Sequence, residues 1–227
     1  MDSAHLKQLD RLFNEYCTPE WRDLARQNVT TLHYKAGEKI FKEGQTAEYM
    51  YMINVGRVKV YTNYADDVEV IIRFATDGQT LGHRGLGEDF VFPISAVALT
   101  DSSINLLPME IFQNLLKANN MFCYYFLMFF TEELRRSERR KKKLLNMTVK
   151  QRVANALLMN ADSFGFEKKD KTLLSFTISR KDIASLANTS YESVIRSLSE
   201  LQTENTLKLE GKRIRILNMK GLGNITL

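Results

Sequence analysis

Residues 179–201 read SRKDIASLANTSYESVIRSLSEL, and this stretch predicts two short helices separated by a tight turn. Ser179 followed by Asp182 is typical of a helix start, because each side chain can bond the backbone N–H of the other residue. Asn188 marks the turn, since asparagine is one of the few residues besides glycine that tolerate a left-handed backbone. The pattern therefore predicts a first helix that ends at Asn188.

The second predicted helix, capped by Thr189 or Ser190, has an apolar side and a polar side. Its predicted buried residues are Val194, Ile195, Leu198 and Leu201. Its predicted exposed residues are Tyr191, Glu192, Ser193, Arg196 and Ser197. This layout is typical of a helix-turn-helix, whose second helix enters the DNA major groove. Two amphipathic helices joined by a short turn also occur in many all-α proteins, so the assignment of DNA binding depends on the rest of the chain.

The composition is that of a globular protein with an uneven charge distribution. The chain has 227 residues, 44% hydrophobic and 26% charged, which is enough for one large or two ordinary domains. Residues 1–120 contain 12 basic and 16 acidic residues, whereas residues 121–227 contain 20 basic and 11 acidic ones. The basic second part predicts contact with a polyanion such as DNA.

No segment predicts export or a membrane span. The N-terminus lacks a charged segment followed by an apolar one, and the longest apolar run, 121–130, is about half the length that a membrane span needs. Cys17 and Cys123 make neither a disulfide framework nor a zinc cluster. We therefore expect a cytoplasmic protein with no membrane partner.

Short strands follow a helical segment at 4–28. The predicted strands are 50–54, 57–61, 68–74, 97–99 and 104–107, with glycine turns between them. This spacing predicts a small barrel or sandwich. The segment GHRGLGEDF at 82–90 is rich in glycine, which suits an anion-binding backbone, with a plain surface loop as the alternative.

A short helix at 109–118 precedes a long helix at 121–146. The first half of the long helix, MFCYYFLMFF, is apolar almost all round and has to be covered on several sides. A second copy of the same helix would provide one cover, which predicts a homodimer, and burial within one chain is the alternative. The second half contains RRSERRKKK at 135–143, normally a solvated helix face. We hypothesise that some of its arginines bind an anionic effector.

Residues 148–227 carry a net charge of +5 and contain the helix-turn-helix. The pattern predicts a helix at 148–159, a polar loop at 164–171 and a strand at 173–178. Alternating residues at 207–209 and 214–217 surround the basic turn EGKR and predict a hairpin, or wing. A wing beside a helix-turn-helix in a basic region favours DNA binding.

The order of GEKIFKEG (37–44), INVGRVKVY (53–61) and the glycine-rich loop resembles the catabolite-activator/FNR (CRP/FNR) family of bacterial transcription regulators. The resemblance extends over nearly the whole chain. It implies an α+β fold with an N-terminal cyclic-nucleotide-binding-like β-roll, a long dimerisation helix and a C-terminal winged helix-turn-helix. The corresponding boundaries are 1–118, 119–147 and 148–227. The implied protein is a DNA-binding regulator and not an enzyme.

The resemblance also implies which residues contact DNA. Glu192 and Arg196 form the family's E-x-x-x-R pattern, in which arginine donates to guanine O6 and N7 and glutamate accepts from cytosine N4. Tyr191 occupies the position of another base-reading arginine, so we expect a different half-site, with Tyr191 or Ser193 on a thymine methyl or a phosphate. The predicted phosphate contacts are Ser179, Arg180, Lys181, Ser190, Lys212 and Arg213.

The effector site departs from that of cyclic-AMP-binding members. His83 stands at the position of their ribose-binding glutamate, and Phe92-Pro93-Ile94-Ser95 replaces the Arg-Ser pair, so a cyclic phosphate loses its bidentate partner. An iron–sulfur sensor needs four cysteines and this chain has two. Haem on His83 or His33 stays open, and the effector is unidentified. The candidate effector residues are His83, Arg84, Ser95, Ser137 and Glu138.

The expected partners are double-stranded DNA with two-fold half-sites, a second copy of the chain and RNA polymerase. Two alternatives stay open. One is a metal-dependent enzyme of the cupin type, although His5, His33 and His83 do not cluster and no catalytic or metal residue is predicted. The other is a constitutive DNA-binding protein with a vestigial sensor domain.

Overall fold

The computed structural model describes residues 8–64 and 68–226, which contain both helices and strands. The first half consists of α1 (Gln8–Tyr16), α2 (Pro19–Gln27), β1 (Thr30–Tyr34), β2 (Lys39–Phe41), β3 (Tyr49–Val55), β4 (Arg57–Tyr64), β5 (Val68–Thr76), β6 (Thr80–Leu81), a 3-10 turn (His83–Gly85), β7 (Ser95–Ala98) and β8 (Ser102–Pro108). The second half consists of α3 (Met109–Ala118), α4 (Asn120–Leu145), α5 (Val149–Phe164), α6 (Arg180–Ala187), α7 (Tyr191–Thr203), β9 (Leu207–Glu210), β10 (Arg213–Ile216) and α8 (Met219–Ile225). None of the described helices is long and apolar enough to cross a lipid bilayer.

The described residues divide into two compact units. The sensor unit comprises residues 8–62 and 73–138. The helix-turn-helix unit comprises residues 63–64, 68–72 and 139–226.

Strands β1 to β8 form two four-stranded sheets, with the orders β1-β8-β3-β6 and β2-β7-β4-β5. β3 pairs antiparallel with β8, so that Tyr51 lies opposite Leu106 and Ile53 opposite Ile104. All four side chains are buried, because alternate residues of paired strands point to the same face. This arrangement confirms the predicted β-roll.

Aromatic rings join the two sheets. Phe41 of β2 stacks on Phe92 with ring centroids 4.2 Å apart, and Tyr51 of β3 lies 5.2 Å from Phe41. Because β2 and β3 belong to different sheets, these contacts close the roll. Large aromatic rings bury more apolar area than any other side chain, so they contribute strongly to this core.

Gly56 allows the chain to pass from β3 in one sheet to β4 in the other. Its φ is +141°, and a Cβ atom there would lie 2.1 Å from the hydroxyl oxygen of Ser102. Both the backbone conformation and the lack of space therefore require glycine.

Helix α4 starts one residue earlier than predicted and has two unlike sides. Phe122, Phe126 and Phe129 are buried against the sensor unit. The other side leaves large apolar residues exposed within one chain, at 53% for Met121, 54% for Tyr124, 58% for Leu127 and 62% for Leu134. Such a continuous apolar strip is typical of a surface that another helix covers.

Two predictions for the helix-turn-helix unit were wrong. Helix α5 continues to Phe164 instead of ending at residue 159, and residues 173–178 form only isolated bridges instead of a strand. The extra turn of α5 explains the second error. It carries Asn160, whose side chain donates to the Phe176 carbonyl (2.8 Å) and accepts from the Ile178 N–H (3.2 Å). A side chain thus satisfies backbone groups that a neighbouring strand would otherwise bond.

Candidate nucleic-acid interface

A reciprocal cap fixes the start of α6. The Ser179 hydroxyl accepts from the Asp182 N–H at 3.0 Å, and the Asp182 carboxylate accepts from the Ser179 N–H at 3.3 Å. These bonds satisfy two of the N–H groups that a helix start leaves without partners. The cap that the sequence predicted is therefore present.

The turn between the two helices is held by its own backbone and by an arginine of α5. Asn188 has the left-handed conformation that its residue type allows (φ 44°, ψ 60°), and Ser190 then caps α7 by accepting from the Ser193 N–H. Arg152 donates to the carbonyl of Ala187 at 2.6 Å and to that of Asn188 at 3.3 Å. Sequence reasoning missed Arg152, whose position on α5 gives no local sign of this contact.

Helix α7 buries a stripe formed by Val194, Ser197, Leu198 and Leu201. Two predicted positions were wrong, because Ser197 is buried and Ile195 is 41% exposed. The buried residues follow the helical spacing of three and four, which includes position 197 and excludes 195. Apolar character alone therefore assigned Ile195 to the wrong side.

Glu192 and Arg196 are exposed and lie one helical turn apart on the same face of α7. In the described part of the chain, neither side chain has a hydrogen bond or an ion pair. Tyr191, 47% exposed, stands beside them at the start of the helix. Ser193 differs, because its hydroxyl accepts from that of Ser190 at 3.1 Å and is thus part of the cap.

The candidate phosphate contacts fall into two groups. Lys181 and Lys212 are exposed, with no ion pair to other described residues. Arg180 instead donates to the carbonyls of Gly211 (3.2 Å) and Lys212 (2.9 Å) at the tip of the hairpin, and burial lowers the pKa of its guanidinium. Arg213 is paired with Glu167 at 2.6 Å. Arg180 and Arg213 thus bond other parts of their own unit, whereas Lys181 and Lys212 are exposed cations.

The hairpin of β9 and β10 is the predicted wing. Its strands pair antiparallel, with Ile214 opposite Leu209. Arg215 anchors it by donating to Thr172 at 2.8 Å and to Glu210 at 3.0 Å, and it also pairs with Asp170. The Thr172 hydroxyl and the Arg215 guanidinium hold the pKa of Asp170 below its usual range, so this carboxylate stays charged.

Two of the five predicted effector residues, His83 and Ser95, are buried in the sensor unit. His83 is 2% exposed, and its ring packs edge-on against Phe129 and Phe130 of α4, each at 5.6 Å. Ser95 is 3% exposed, and its hydroxyl accepts from the Glu43 N–H at 2.9 Å. Arg84 is only half-buried. Ser137 and Glu138 lie two turns or more beyond Phe130 along α4, half-buried and exposed respectively.

The glycine-rich loop forms a closed turn where an anion-binding backbone was one of the expectations. The Gly85 N–H bonds the Gly82 carbonyl at 2.9 Å, and the Leu86 N–H bonds the His83 carbonyl at 3.2 Å. A Cβ atom on Gly85 would lie 2.5 Å from that of Ala47, so this glycine serves close packing. Two N–H groups of the loop are thus used within the turn itself.

Comparison with known proteins agrees with both the β-roll and the helix-turn-helix. The model of the cyclic nucleotide-binding domain matches residues 31–119, and that of the Crp-like helix-turn-helix domain matches residues 151–225. The chain is 23% identical over 188 residues to the transcriptional activator protein FnrA of Stutzerimonas stutzeri. The matched region covers 83% of this chain and 77% of that protein. It is 26% identical over 192 residues to the cyclic AMP receptor protein of Thermus thermophilus, with 84% and 85% covered.

The chain belongs to the CRP/FNR family.

Solved CRP/FNR structures have the same fold. FixK2 from Bradyrhizobium japonicum superimposes with a TM-score of 0.76 at 26% identity, covering 87% of this chain and 96% of that one. A putative CRP/FNR regulator from Eubacterium rectale gives a TM-score of 0.77 at 20% identity, with 95% and 97% covered. This CRP/FNR protein is therefore a transcription regulator with a cyclic-nucleotide-binding-type domain and a DNA-binding helix-turn-helix.

The family bears on two earlier predictions. Homodimers are typical of CRP/FNR proteins, in keeping with the exposed apolar strip of α4. The relatives are transcription regulators and not enzymes. Within residues 8–64 and 68–226, no three His, Cys, Asp or Glu side chains are grouped to hold a metal ion, so the cupin alternative has no supporting cluster there.

Proposed function

We propose that this CRP/FNR protein is a homodimer that binds a two-fold DNA site and reads each half-site with Glu192 and Arg196 of α7. The observation that carries the proposal is that Glu192 and Arg196 are exposed, have no hydrogen bond or ion pair to any described residue, and lie above a fully buried helix face. An exposed arginine that bonds none of residues 8–64 and 68–226 is available for the bidentate contact to guanine. Tyr191, exposed beside the pair, is the residue we propose for a thymine methyl or a phosphate.

The proposed phosphate contacts add electrostatic affinity for DNA, but they do not distinguish one base sequence from another. We assign direct contacts to Lys181 and Lys212, because both are exposed and form no ion pair with the residues that the structure describes. Arg180 and Arg213 act mainly on the wing, since their guanidinium groups already bond carbonyls or Glu167. Ser179 and Ser190 keep their hydroxyls in the helix caps and contribute through the position of the helix ends.

The sensor unit is proposed to control this binding through α4. We keep 1–118, 119–147 and 148–227 as the sensor, dimerisation and DNA-binding segments, and RNA polymerase and a cytoplasmic location as consequences of acting on promoters. A ligand changes DNA affinity only if it binds the two states of the dimer unequally. The interior near His83 is occupied by aromatic rings, which argues against cyclic nucleotides.

Selection from a random double-stranded DNA library, using the purified full-length protein, tests the proposal. We expect enriched sequences with two inverted half-sites that contain G·C pairs, their centres about one helical turn (roughly 10 base pairs) apart. Enrichment of single, unpaired half-sites would contradict the dimeric reading. Absence of any enrichment over input, with protein that is folded by circular dichroism, would contradict sequence-specific binding.

Lys181→Ala is expected to weaken binding about equally on every DNA sequence and to lower the slope of log K against log salt by about one. The reason is that Lys181 is exposed and meets only backbone charge. Arg180→Ala is the matched neighbour. It should lower the melting temperature as well, because it releases the wing tip. Anisotropy titrations at several salt concentrations measure the DNA affinity and the salt dependence of both variants. A loss for Lys181→Ala that depended on the DNA sequence would refute its assignment as a phosphate contact.

A further inference from the structure

The sensor unit contains a cavity that lies apart from the glycine-rich loop. It has a volume of about 390 Å³ and lies between helices α1 and α2 and the sheet that contains β3 and β8. Met50, Tyr51 and Met52 of β3 all border it, and the ring of Tyr51, which alternates with the two methionines, packs on Phe41. Because alternate residues of a strand point to opposite faces, the two methionine side chains are on the other side of the sheet from the Phe41–Phe92 stack, together with Leu107 and Asn105, which lie opposite them on β8.

The walls of the cavity are mostly apolar. Phe13 of α1 and Phe122 of α4 both line it, and their rings meet edge-on with centroids 6.3 Å apart. Met50, Met52 and Leu107 contribute from the sheet. Methionine side chains adapt to different shapes, and a concave apolar site of several hundred Å³ is typical of small-molecule binding.

One charge is placed at this apolar surface. Of the described residues that line the cavity, Arg26 alone is charged. Among the described residues its guanidinium makes only long contacts, 3.4 Å to Asp23 and 3.4 Å to the Asn14 side chain, and the Arg26 side chain is 62% exposed. Asn105, by contrast, is already bonded to Asn54 and Thr31. Arg26 is therefore the group that a ligand can engage, and its planar fork matches a carboxylate.

We propose that this cavity binds a small molecule with an apolar body and one carboxylate, the body against Met50 and Met52 and the carboxylate on Arg26. Assigning that ligand to the control of DNA binding rests on the proposed function, whereas the binding itself does not. The site is separate from the position of the family's nucleotide loop, which His83 and Phe92 fill with buried rings.

Methyl NMR on the full-length protein, with ¹³C-labelled methionine, tests this assignment using sodium octanoate and 1-octanol as probes. Both probes should give saturable shifts of the Met50 and Met52 methyls and none of Met159, which lies on α5 in the other unit and lines neither this cavity nor the one beside Met147. Val29→Phe, which fills the cavity, should abolish the shifts for both. Leu107→Phe serves the same purpose if Val29→Phe does not fold.

The role of Arg26 is tested separately, with the same two probes. Arg26→Gln should weaken octanoate about tenfold or more and leave octanol unchanged, because only the acid carries the charge that the arginine recognises. Arg11→Gln is the matched control, an exposed arginine of α1 that pairs with Glu15 and does not line the cavity. It should change neither probe.

Three outcomes overturn the inference. They are no saturable shift at Met50 and Met52, shifts that persist in a folded cavity-filled variant, and octanoate binding that Arg26→Gln leaves intact. Since the titration contains no DNA, such a failure leaves the DNA-selection result standing, and a failed DNA selection leaves this result standing.

Discussion

Replacing Arg196 by alanine is expected to lower affinity for the selected operator by about 1–3 kcal/mol per half-site, roughly 5- to 150-fold, and to relax discrimination at one base pair. The guanidinium is exposed and unpaired in the described chain, so its removal opens no cavity and leaves no buried partner unsatisfied. The loss should therefore concern recognition alone. Anisotropy titrations with the operator, with operators changed at single base pairs and with random DNA measure it.

Arg196→Lys is the matched variant, because it keeps the charge and loses the planar fork. We expect it to bind random DNA like the unaltered protein while discriminating poorly between operator variants. If Arg196→Ala weakened operator and random DNA equally, Arg196 would be a phosphate contact and the reading assignment would be refuted.

Leu127→Glu is expected to convert the dimer into monomers at micromolar concentration. Leu127 and Leu134 are one heptad apart on the exposed apolar strip of α4, and a two-fold interface buries each residue twice. Burying a leucine contributes roughly 1.5–3 kcal/mol, so two copies represent roughly 3–6 kcal/mol before the cost of the buried charge is added. Sedimentation equilibrium measures the dissociation constant directly.

The DNA consequence should be as large. Once the two recognition helices are no longer joined, the second half-site loses its high effective concentration, and operator affinity should fall by about 100-fold or more. Leu32→Glu on β1 is the control, since Leu32 is also an exposed leucine, at 42%, and lies on a different surface. A dimeric Leu127→Glu protein with full operator affinity would show that α4 does not form the interface.

Features determined by neighbouring residues were predictable from the sequence. The cap at Ser179, the left-handed Asn188 and the hairpin of β9 and β10 each depend on a few consecutive side chains, and all three are present. The motif order likewise predicted the family and the β-roll. Glu192 and Arg196 lie on the predicted exposed face, and their contacts with DNA stay predictions.

Features that depend on distant residues were not predictable. Asn160 replaces a strand partner for residues 176–178, and Arg180 bonds a hairpin tip more than thirty positions away. Ile195 was misplaced because its apolar character outweighed its position on the helix. The Arg26 cavity needs two helices and a sheet to meet, which no local pattern of residues shows.

The side-chain N-caps at the starts of α5, α6 and α7 have a consequence for the order of folding. Thr148, Ser179 and Ser190 each accept from an N–H three residues ahead, so the starts of α5, α6 and α7 are encoded within four consecutive residues. In the sensor unit, Thr31 of β1 must find Asn105 of β8, 74 residues later. Closing short loops costs less chain entropy than closing long ones, and local contacts accompany fast folding. The helix starts should therefore form in microseconds, well before the edge strand of the β-roll is in place.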